Sequence, residues 1–428
     1  MGAMMIAILS FGLRIWHLST PRGYVFDEVY YVDDARDLLK YGVEVNGSSP
    51  EFIVHPPIGK WLIGIGIKLF GNNEFGWRIS VAVVGSISIL LVAQIARRLF
   101  HSQGYANLAA LLMALDGLAL VHSRTALLDP FLTFFILLAV LAWMKGHFWW
   151  TGIWFGLAIG TKWSGVYFLI AFALLLLYRD YSKKEFTFKS FLKRTGQFGF
   201  LPLAVYISSW SGWFLSSRGW DRNWANENAT SWGFIPNSIR SLWYYHSEML
   251  NFHTGLVKKH SYQANPWSWL VMGRPTSFFY ASPKTCGASS CAQEVLALGT
   301  PLLWWLGTLA IAAVCGIWIS SIAKGKADAG AGLILLGIAA GYLPWFFFQK
   351  RTVFSFYAIV FEPFLILALT YCAKAFLGQR PRSRNRQWII VSFVVLIAAN
   401  FLYFLPLFNA TVMTYDSWYS HMWLPSWI

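Results

Sequence analysis

The sequence predicts an all-α polytopic membrane protein with about eleven transmembrane helices, and three observations predict it. Of 428 residues, 57% are hydrophobic and only 12% are charged, about half the charged fraction of a soluble chain. Apolar runs approaching the length needed to cross a bilayer, about 20 residues in a helix, recur along the whole chain. Lys and Arg gather in alternate connections between those runs, as the positive-inside rule requires. The surplus apolar surface therefore faces lipid. The net charge of +15 reads as membrane orientation rather than as a nucleic-acid surface.

Taken in order, the first span covers 1–18 and the first loop 19–77. That loop opens with "YVFDEVYYVDDARDLLKYG" (24–42), where Asp27, Glu28, Asp33, Asp34 and Asp37 lie close together although the chain has only 19 acidic residues. A surface helix is expected from about 27 to 41. "HPPIGKWLIGIGIKLFG" (55–71) is too short and interrupted for a span and reads as a second helix lying at the membrane surface. Spans follow at 78–98, 105–121, 127–145, 148–160, 163–178 and 197–215. The long loop 216–298 is rich in Trp, Tyr, Asn and His, which suit a membrane interface and equally a sugar or peptide cleft. The last spans are 299–322, 330–348, 353–375 and 388–407.

With residue 1 inside, Arg97 and Arg98, the 179–194 segment, Lys324 and Lys326, and "GQRPRSRNRQ" (378–387) all fall inside. Both long loops then lie outside, on a multi-pass protein of the cell membrane with a cytoplasmic N-terminus. Residues 1–428 form one transmembrane domain, with no internal repeat and no separate soluble domain. Residues 1–18 have no basic n-region or cleavage site, so no cleavable signal peptide is expected. The start within a hydrophobic segment points to a cytoplasmic tail ahead of it. Cys286 and Cys291 in the outer loop suit a small disulfide. Cys315 and Cys372, in apolar runs, read as packing residues.

Asp27 and Glu28 come about nine residues after the first span, near the lipid headgroups. A carboxylate there acts as a base toward a substrate hydroxyl if it is aimed at one; the alternative is a solvated or helix-capping cluster. Position leaves both readings of Asp27 open. Asp33, Asp34 and Asp37 take the second reading, with some of them placed in water by the surface helix. Arg14, Lys60, Arg78, Arg124, Lys162, Lys350 and Arg351 recur at outer span ends, where the positive-inside rule does not want them. Each alone is a snorkelling interface residue. Together they suggest an anion site that holds a phosphate and neutralises it as a leaving group.

Asp116 lies mid-span in "LLMALDGLALVHSR". An intramembrane carboxylate is a functional candidate, but a helix–helix hydrogen bond or a partnership with Arg124 reads slightly ahead. Asp129 before Pro130 reads as an N-cap followed by Pro at the first helical position. Glu362, mid-span beside Pro363, receives no role. His55, before two prolines, is either a substrate contact or structural. Walker A, G-x-G-x-x-G, H-E-x-x-H and C-x-x-C patterns are missing, which disfavours a nucleotide-driven pump, a hydride-transfer enzyme and a zinc protease. The carboxylates are able to bind Mg or Mn, but no obligatory metal is expected.

"FDE" after the first span, "HPPIGKWLIG", "GWRIS", "ALDGLALVHSRTALLDPFL", "GLAIGTKWSG" and "RTVFSFYAIVFEPFLILAL" stand in the order found in protein O-mannosyltransferases, and the chain resembles that family from residue 11 to about 372. The 216–298 loop carries no inserted β-trefoil (MIR) domain, so the likeness is to the bacterial, particularly actinobacterial, branch. The resemblance implies a GT-C glycosyltransferase fold with eleven spans. It implies inverting transfer of mannose from polyprenyl-phosphate-mannose to Ser or Thr hydroxyls of proteins emerging on the outer face, with the lipid donor and polypeptide acceptors as partners.

Carried over residue by residue, Asp27 matches the family's catalytic acid and Glu28 its neighbour that helps position the acceptor, with His55 a further acceptor contact. Arg78 and Arg124 match basic residues near the lipid phosphate. Lys60 and Lys162 lie in matching motifs on the donor side. Arg14 matches a first-span arginine of structural role. Two rivals stay open: a GT-C transferase that passes a sugar to lipid, glycan or Asn, and a lipid-linked sugar flippase or transporter. The second would call for paired inverted repeats and broken midplane helices, which the sequence does not display.

Overall fold

The structure is a computed structural model, and it describes residues 2–228, 233–378 and 383–428. Arg380 and Arg382 of the predicted inner cluster lie outside the described residues. The chain starts with α1 (Gly2–Ile15), the first-loop helices α2 (Glu28–Tyr41) and α3 (Ile58–Phe70), and a two-stranded ribbon, β1 (Val45–Asn46) with β2 (Ser49–Pro50). Then come α4 (Glu74–Phe100), α5 (Gln103–Ala114), α6 (Gly117–His122), α7 (Asp129–Met144), α8 (Phe148–Ile159), α9 (Gly165–Ser182), α10 (Phe188–Thr195), α11 (Leu201–Ser209) and α12 (Ser211–Leu215). The 216–298 loop holds α13 (Trp224–Glu227), α14 (Asn237–Gly255), β3 (Thr276–Ala281) and β4 (Cys291–Ala297). Helices α15 (Pro301–Ala323), α16 (Ala329–Tyr342), α17 (Glu362–Leu377) and α18 (Arg384–Phe408), strand β5 (Met413–Thr414) and α19 (Tyr415–Ser420) complete it.

Every predicted span contains helix. Five stretches, Glu74–Phe100, Gly165–Ser182, Pro301–Ala323, Ala329–Phe348 and Arg384–Phe408, are long and apolar enough to cross a membrane, and Gly2–Ile15, Asp129–Met144 and Phe148–Ile159 are shorter apolar helices. Length and composition thus support a polytopic membrane body without fixing the count at eleven. α4 is the central element and packs against α1, α3, α5 and α7.

Four predicted spans are not continuous α-helices; one of them, 330–348, is α-helical only to Tyr342 and continues as a 3₁₀ turn over Leu343–Phe348. The 105–121 run breaks at Asp116, whose extended backbone (φ −99°, ψ 131°) and side chain start a new helix, with Oδ2 accepting from Ala119 N at 3.2 Å. The 197–215 run opens with a wide turn at Gly196–Phe200 before α11 and α12. In the 353–375 run, Ser355–Val360 is a tight 3₁₀ turn, and the α-helix begins only at Glu362, with Pro363 in its first turn. Irregular backbone within a membrane protein is tolerated where it lines a cavity or is buried in protein; the 353–361 stretch is mostly buried and presents Tyr357 to a cavity.

The two long loops and the segment after α18 also carry strand, which an all-α reading omits. β4 is the middle of a three-stranded antiparallel sheet ordered β3-β4-β5 and packs against α6, α18 and α19. Cys286 is disulfide-bonded to Cys291, with Cα atoms 5.9 Å apart, at the entry to β4. At the far end of α2, Gly42 adopts φ 76° and ends the helix, its N–H donating to Leu38 O at 3.0 Å. A β-carbon on Gly212 of α12 would overlap the Gly42 carbonyl. These two glycines set how closely α2 sits on α12.

Candidate active site

A cavity of about 110 Å³ opens where the first loop, the α8–α9 turn, α14 and the irregular 343–361 stretch meet. His55, Lys162, His253, Trp345, Arg351 and Tyr357 are among its lining residues. Lys162 Nζ donates to both oxygens of Asp129 at 3.0 Å and lies 4.7 Å from the centre of the Tyr357 ring. Arg351 Nη2 donates to His253 Nδ1 at 3.2 Å, and His253 Nε2 donates to Val54 O at 2.7 Å. Arg351 Nε is buried with no hydrogen-bond partner among the described residues. A buried guanidinium N–H without an acceptor is costly, and an anionic oxygen in the cavity would satisfy it. The His253 ring is pushed down to about 4, by burial first and by Arg351 next, so it is neutral at pH 7. Burial and nearby cations hold His55 well below its ordinary value as well.

Asp27 is not among the lining residues; it is linked to this cavity through Lys162, which with Asp129 is its charged neighbour. It precedes the first residue of α2, yet its side chain caps no helix N–H. Its carboxyl is raised to about 6, by burial first; Lys162 pulls it down, Asp129 pushes it up, and the Tyr31 hydroxyl favours the charged form. A carboxylate with that affinity is ionised at pH 7 and still basic enough to accept a proton. Phe26, directly before it, is held at φ 53°, a left-handed conformation that is an outlier for a bulky residue. Its ring stacks on Phe278 of β3 at 4.6 Å and meets Phe356 edge-on at 5.4 Å.

Glu28 faces the other way. It is fully buried and accepts from Val25 N, Ala126 N and Arg78 Nε at 2.8 Å each and from Arg78 Nη2 at 2.7 Å. Arg78 also donates to Leu18 O (3.1 Å), Pro21 O (2.9 Å) and Gly23 O (2.9 Å). All five of its N–H groups are engaged by the protein, which leaves none for a lipid phosphate. Arg124 likewise donates to the carbonyls of Leu13, Arg14, Trp16 and His17, at 3.2, 2.8, 2.7 and 3.1 Å, around the C-terminus of α1. A cation bound there satisfies the helix's last carbonyls and opposes its dipole. Lys60 is fully buried and bonded to Glu44, with Asp34 Oδ2 at 3.4 Å. Asp34, read from sequence as part of a solvated or helix-capping cluster, is therefore a buried ion-pair partner, while Asp33 stays exposed beside Arg36.

The sequence also placed Asp129 as an N-cap. In the structure Leu128 occupies that position, and the Asp129 carboxylate goes to Lys162 instead. Asp116 does bridge helices: Oδ1 accepts from Thr300 N (2.8 Å) and Trp304 Nε1 (2.9 Å). Its expected partner Arg124 is occupied elsewhere. Arg14, buried, donates to Ser10 O at 3.3 Å and has Glu362 and Asp116 as charged neighbours. His253 and Tyr357 were not singled out from sequence; each is a common residue in an unremarkable run until Arg351 and Lys162 are placed next to it. Among the described residues no three His, Cys, Asp or Glu side chains form a group that would hold a metal ion.

A second cavity of about 590 Å³ lies between α9 and α16 and shares Tyr167 with the first. Apart from Tyr167 and Tyr178 its walls are wholly apolar, Ile170, Leu174, Leu336 and Phe347 among them. The charged cavity and the apolar groove meet at Tyr167, an arrangement that suits a substrate with a charged head and a lipid tail. The fold agrees. It matches the S. cerevisiae protein O-mannosyltransferase complex bound to the sugar donor, with a TM-score of 0.83 at 16% identity over 100% of this chain and 92% of that one. It also matches ArnT from Cupriavidus metallidurans bound to undecaprenyl phosphate, with a TM-score of 0.53 at 16% identity over 96% of this chain and 72% of that one.

Sequence relatives identify the family. "Dolichyl-phosphate-mannose-protein mannosyltransferase" describes the families matched by residues 4–74 and 54–210, and "C-terminal four TMM region of protein-O-mannosyltransferase" the one matched by 238–427. The polyprenol-phosphate-mannose–protein mannosyltransferase of Mycobacterium tuberculosis is 32% identical, covering 99% of this chain and 90% of its own. The Corynebacterium glutamicum protein of the same name is 31% identical, covering 99% and 92%. The chain belongs to the protein O-mannosyltransferase family.

Proposed function

We propose that this protein transfers mannose from polyprenyl-phosphate-mannose to Ser or Thr hydroxyls of polypeptides on the extracytoplasmic face of the bacterial membrane, with its N-terminus in the cytoplasm. Asp27 accepts the hydroxyl proton as the acceptor oxygen attacks the anomeric carbon. The carbon–oxygen bond to the phosphate breaks, its electron pair leaves with the lipid phosphate, and attack from the opposite face inverts the configuration. A hydroxyl is a poor nucleophile until a base takes its proton, and the phosphate ester already stores the bond energy.

The observation that carries this reading is a carboxylate raised to about 6 and linked through Lys162 to a cavity that holds a buried arginine N–H without a partner. Arg351 and Lys162 neutralise the departing phosphate. His55 and His253, both neutral, offer the sugar hydroxyls hydrogen-bonding groups without competing for the phosphate. Glu28, Arg78 and Arg124 act at one remove, by fixing the loop that presents Asp27; Lys60 does the same for α2 and the ribbon beyond it. The apolar groove beside Tyr167 supports a lipid-borne donor. The test is direct: purified protein, a polyprenyl-phosphate-mannose and a Ser/Thr peptide in detergent. Mannosylated peptide is expected with the native protein and absent with Asp27→Asn. Normal turnover by that variant, or labelling of position 27 from the cytoplasmic side, overturns the proposal.

A further inference from the structure

Strand β3 (TSFFYA, 276–281) is the edge of its sheet and pairs with β4 alone. Its outward N–H and C=O groups have no backbone partner among the described residues; the one polar contact within the strand is Ser277 Oγ donating to Phe279 O at 3.3 Å. An open edge is a template for another strand, and proteins ordinarily blunt one with lysine, proline or an inward charge. Within the strand there is neither a charged residue nor a proline; Tyr280 is exposed, Ser277, Phe279 and Ala281 are half-buried, Thr276 and Phe278 are buried, and a bulge at Phe278 interrupts the ladder. Thr, Phe, Phe and Tyr are strong strand formers, so the segment is built to pair.

The position of the edge matters more than its openness. The register shifts between Ser277 and Phe279. A bulge of this kind re-aims a side chain and recurs next to active sites. Here Phe278 turns onto Phe26, ring on ring at 4.6 Å and 13°. Phe26 is the left-handed residue directly before Asp27, and such backbone strain persists only where the surroundings impose it. The strand edge is thus tied to the proton acceptor through one aromatic pair. Beyond Asp27, Val29 and Tyr30 stand exposed on the first turn of α2 and add an apolar flank.

We propose that the acceptor polypeptide binds in extended form as an added strand on the free edge of β3, which delivers its Ser or Thr hydroxyl to Asp27. Main-chain hydrogen bonds supply the affinity, and every second acceptor side chain points the same way. Recognition is then largely independent of sequence, apart from a demand for an extended segment without proline at the N–H positions that face the edge. The proposal rests on the transferase reading above.

The experiment is an N-methyl scan of one synthetic Ser/Thr acceptor peptide, assayed with the intact protein and polyprenyl-phosphate-mannose. In a paired strand only alternate N–H groups face the partner, so N-methylation removes an edge hydrogen bond at every second residue. KM for the peptide is expected to rise about tenfold or more at alternate positions and to stay within about twofold between them. A flat scan, or sensitivity without alternation, overturns the strand-pairing proposal while leaving the transferase reading intact. Failure of the unmethylated peptide to accept mannose takes down both. A flat scan together with disulfide-linked dimers of Tyr280→Cys assigns the edge to a second copy of this chain instead.

Discussion

Removing the Arg78 side chain separates two accounts of that residue. The Arg78–Glu28 pair has both side chains fully buried, and breaking such a pair from one side costs about 3–5 kcal/mol. Glu28 would keep Val25 N and Ala126 N as donors, which places its share at the low end. The carbonyls of Leu18, Pro21 and Gly23 would lose a donor as well, at about 1 kcal/mol apiece. The sum for Arg78→Ala is roughly 6 kcal/mol, comparable to the whole stability of many domains. Heat inactivation of the detergent-solubilised protein reads it: the midpoint should fall by about 10 °C, or the protein should fail to accumulate. Glu28→Ala should do the same, and the double variant should be little worse than either single, because both act through one contact. The reasoning fails if Arg78→Ala keeps native thermal behaviour while its KM for the lipid donor rises and Glu28→Ala leaves that KM untouched. Arg78 would then be a phosphate ligand.

Four further outcomes are expected. Asp27→Asn should lower turnover by a factor of about 10² to 10⁴ without changing the melting midpoint, as its side chain caps no helix N–H. With the Asp27 carboxyl at about 6, kcat/KM should be level above that pH and fall about tenfold per unit below it; Lys162→Met, which removes the cation that lowers the carboxyl, should move this acid limb upward. Arg351→Gln should raise KM for the lipid donor by about tenfold or more, the value of a charged hydrogen bond, while leaving the melting midpoint in place. Reducing Cys286–Cys291 should cost about 2 kcal/mol, as suits so short a loop, and alkylation of native protein without reductant should find neither thiol.

Hydropathy made the membrane helices legible because apolar runs and basic connections are local signals. It could not register where a run stops being helical. Asp116 sits in an apolar context and still starts a new helix, because its oxygens are filled by Ala119, Thr300 and Trp304. The 353–361 stretch is as apolar as any span, yet its backbone turns at Ser355–Val360 and presents Tyr357 to the cavity. The acidic pair and the row of outer basic residues were visible as a set. Their partners were not, because Glu28 meets Arg78 fifty residues away and Lys162 meets Asp129 thirty-three away. Adjacent carboxylates in one tripeptide look alike in sequence, and only burial and donors assign one to chemistry and the other to support. The sheet was missed because its strands are short and lie in an aromatic loop that reads as interface.

The contact between Gly42 and Gly212 has a mechanical consequence. Helix α2 is anchored at its first residue by the buried Glu28 and just past its last by the close approach of Gly42 to Gly212. Any bulkier residue at 212 would push that end of the helix away and tilt the end next to Asp27 with it. Gly212→Ala, chemically silent and remote from the cavity, is therefore expected to slow sugar transfer.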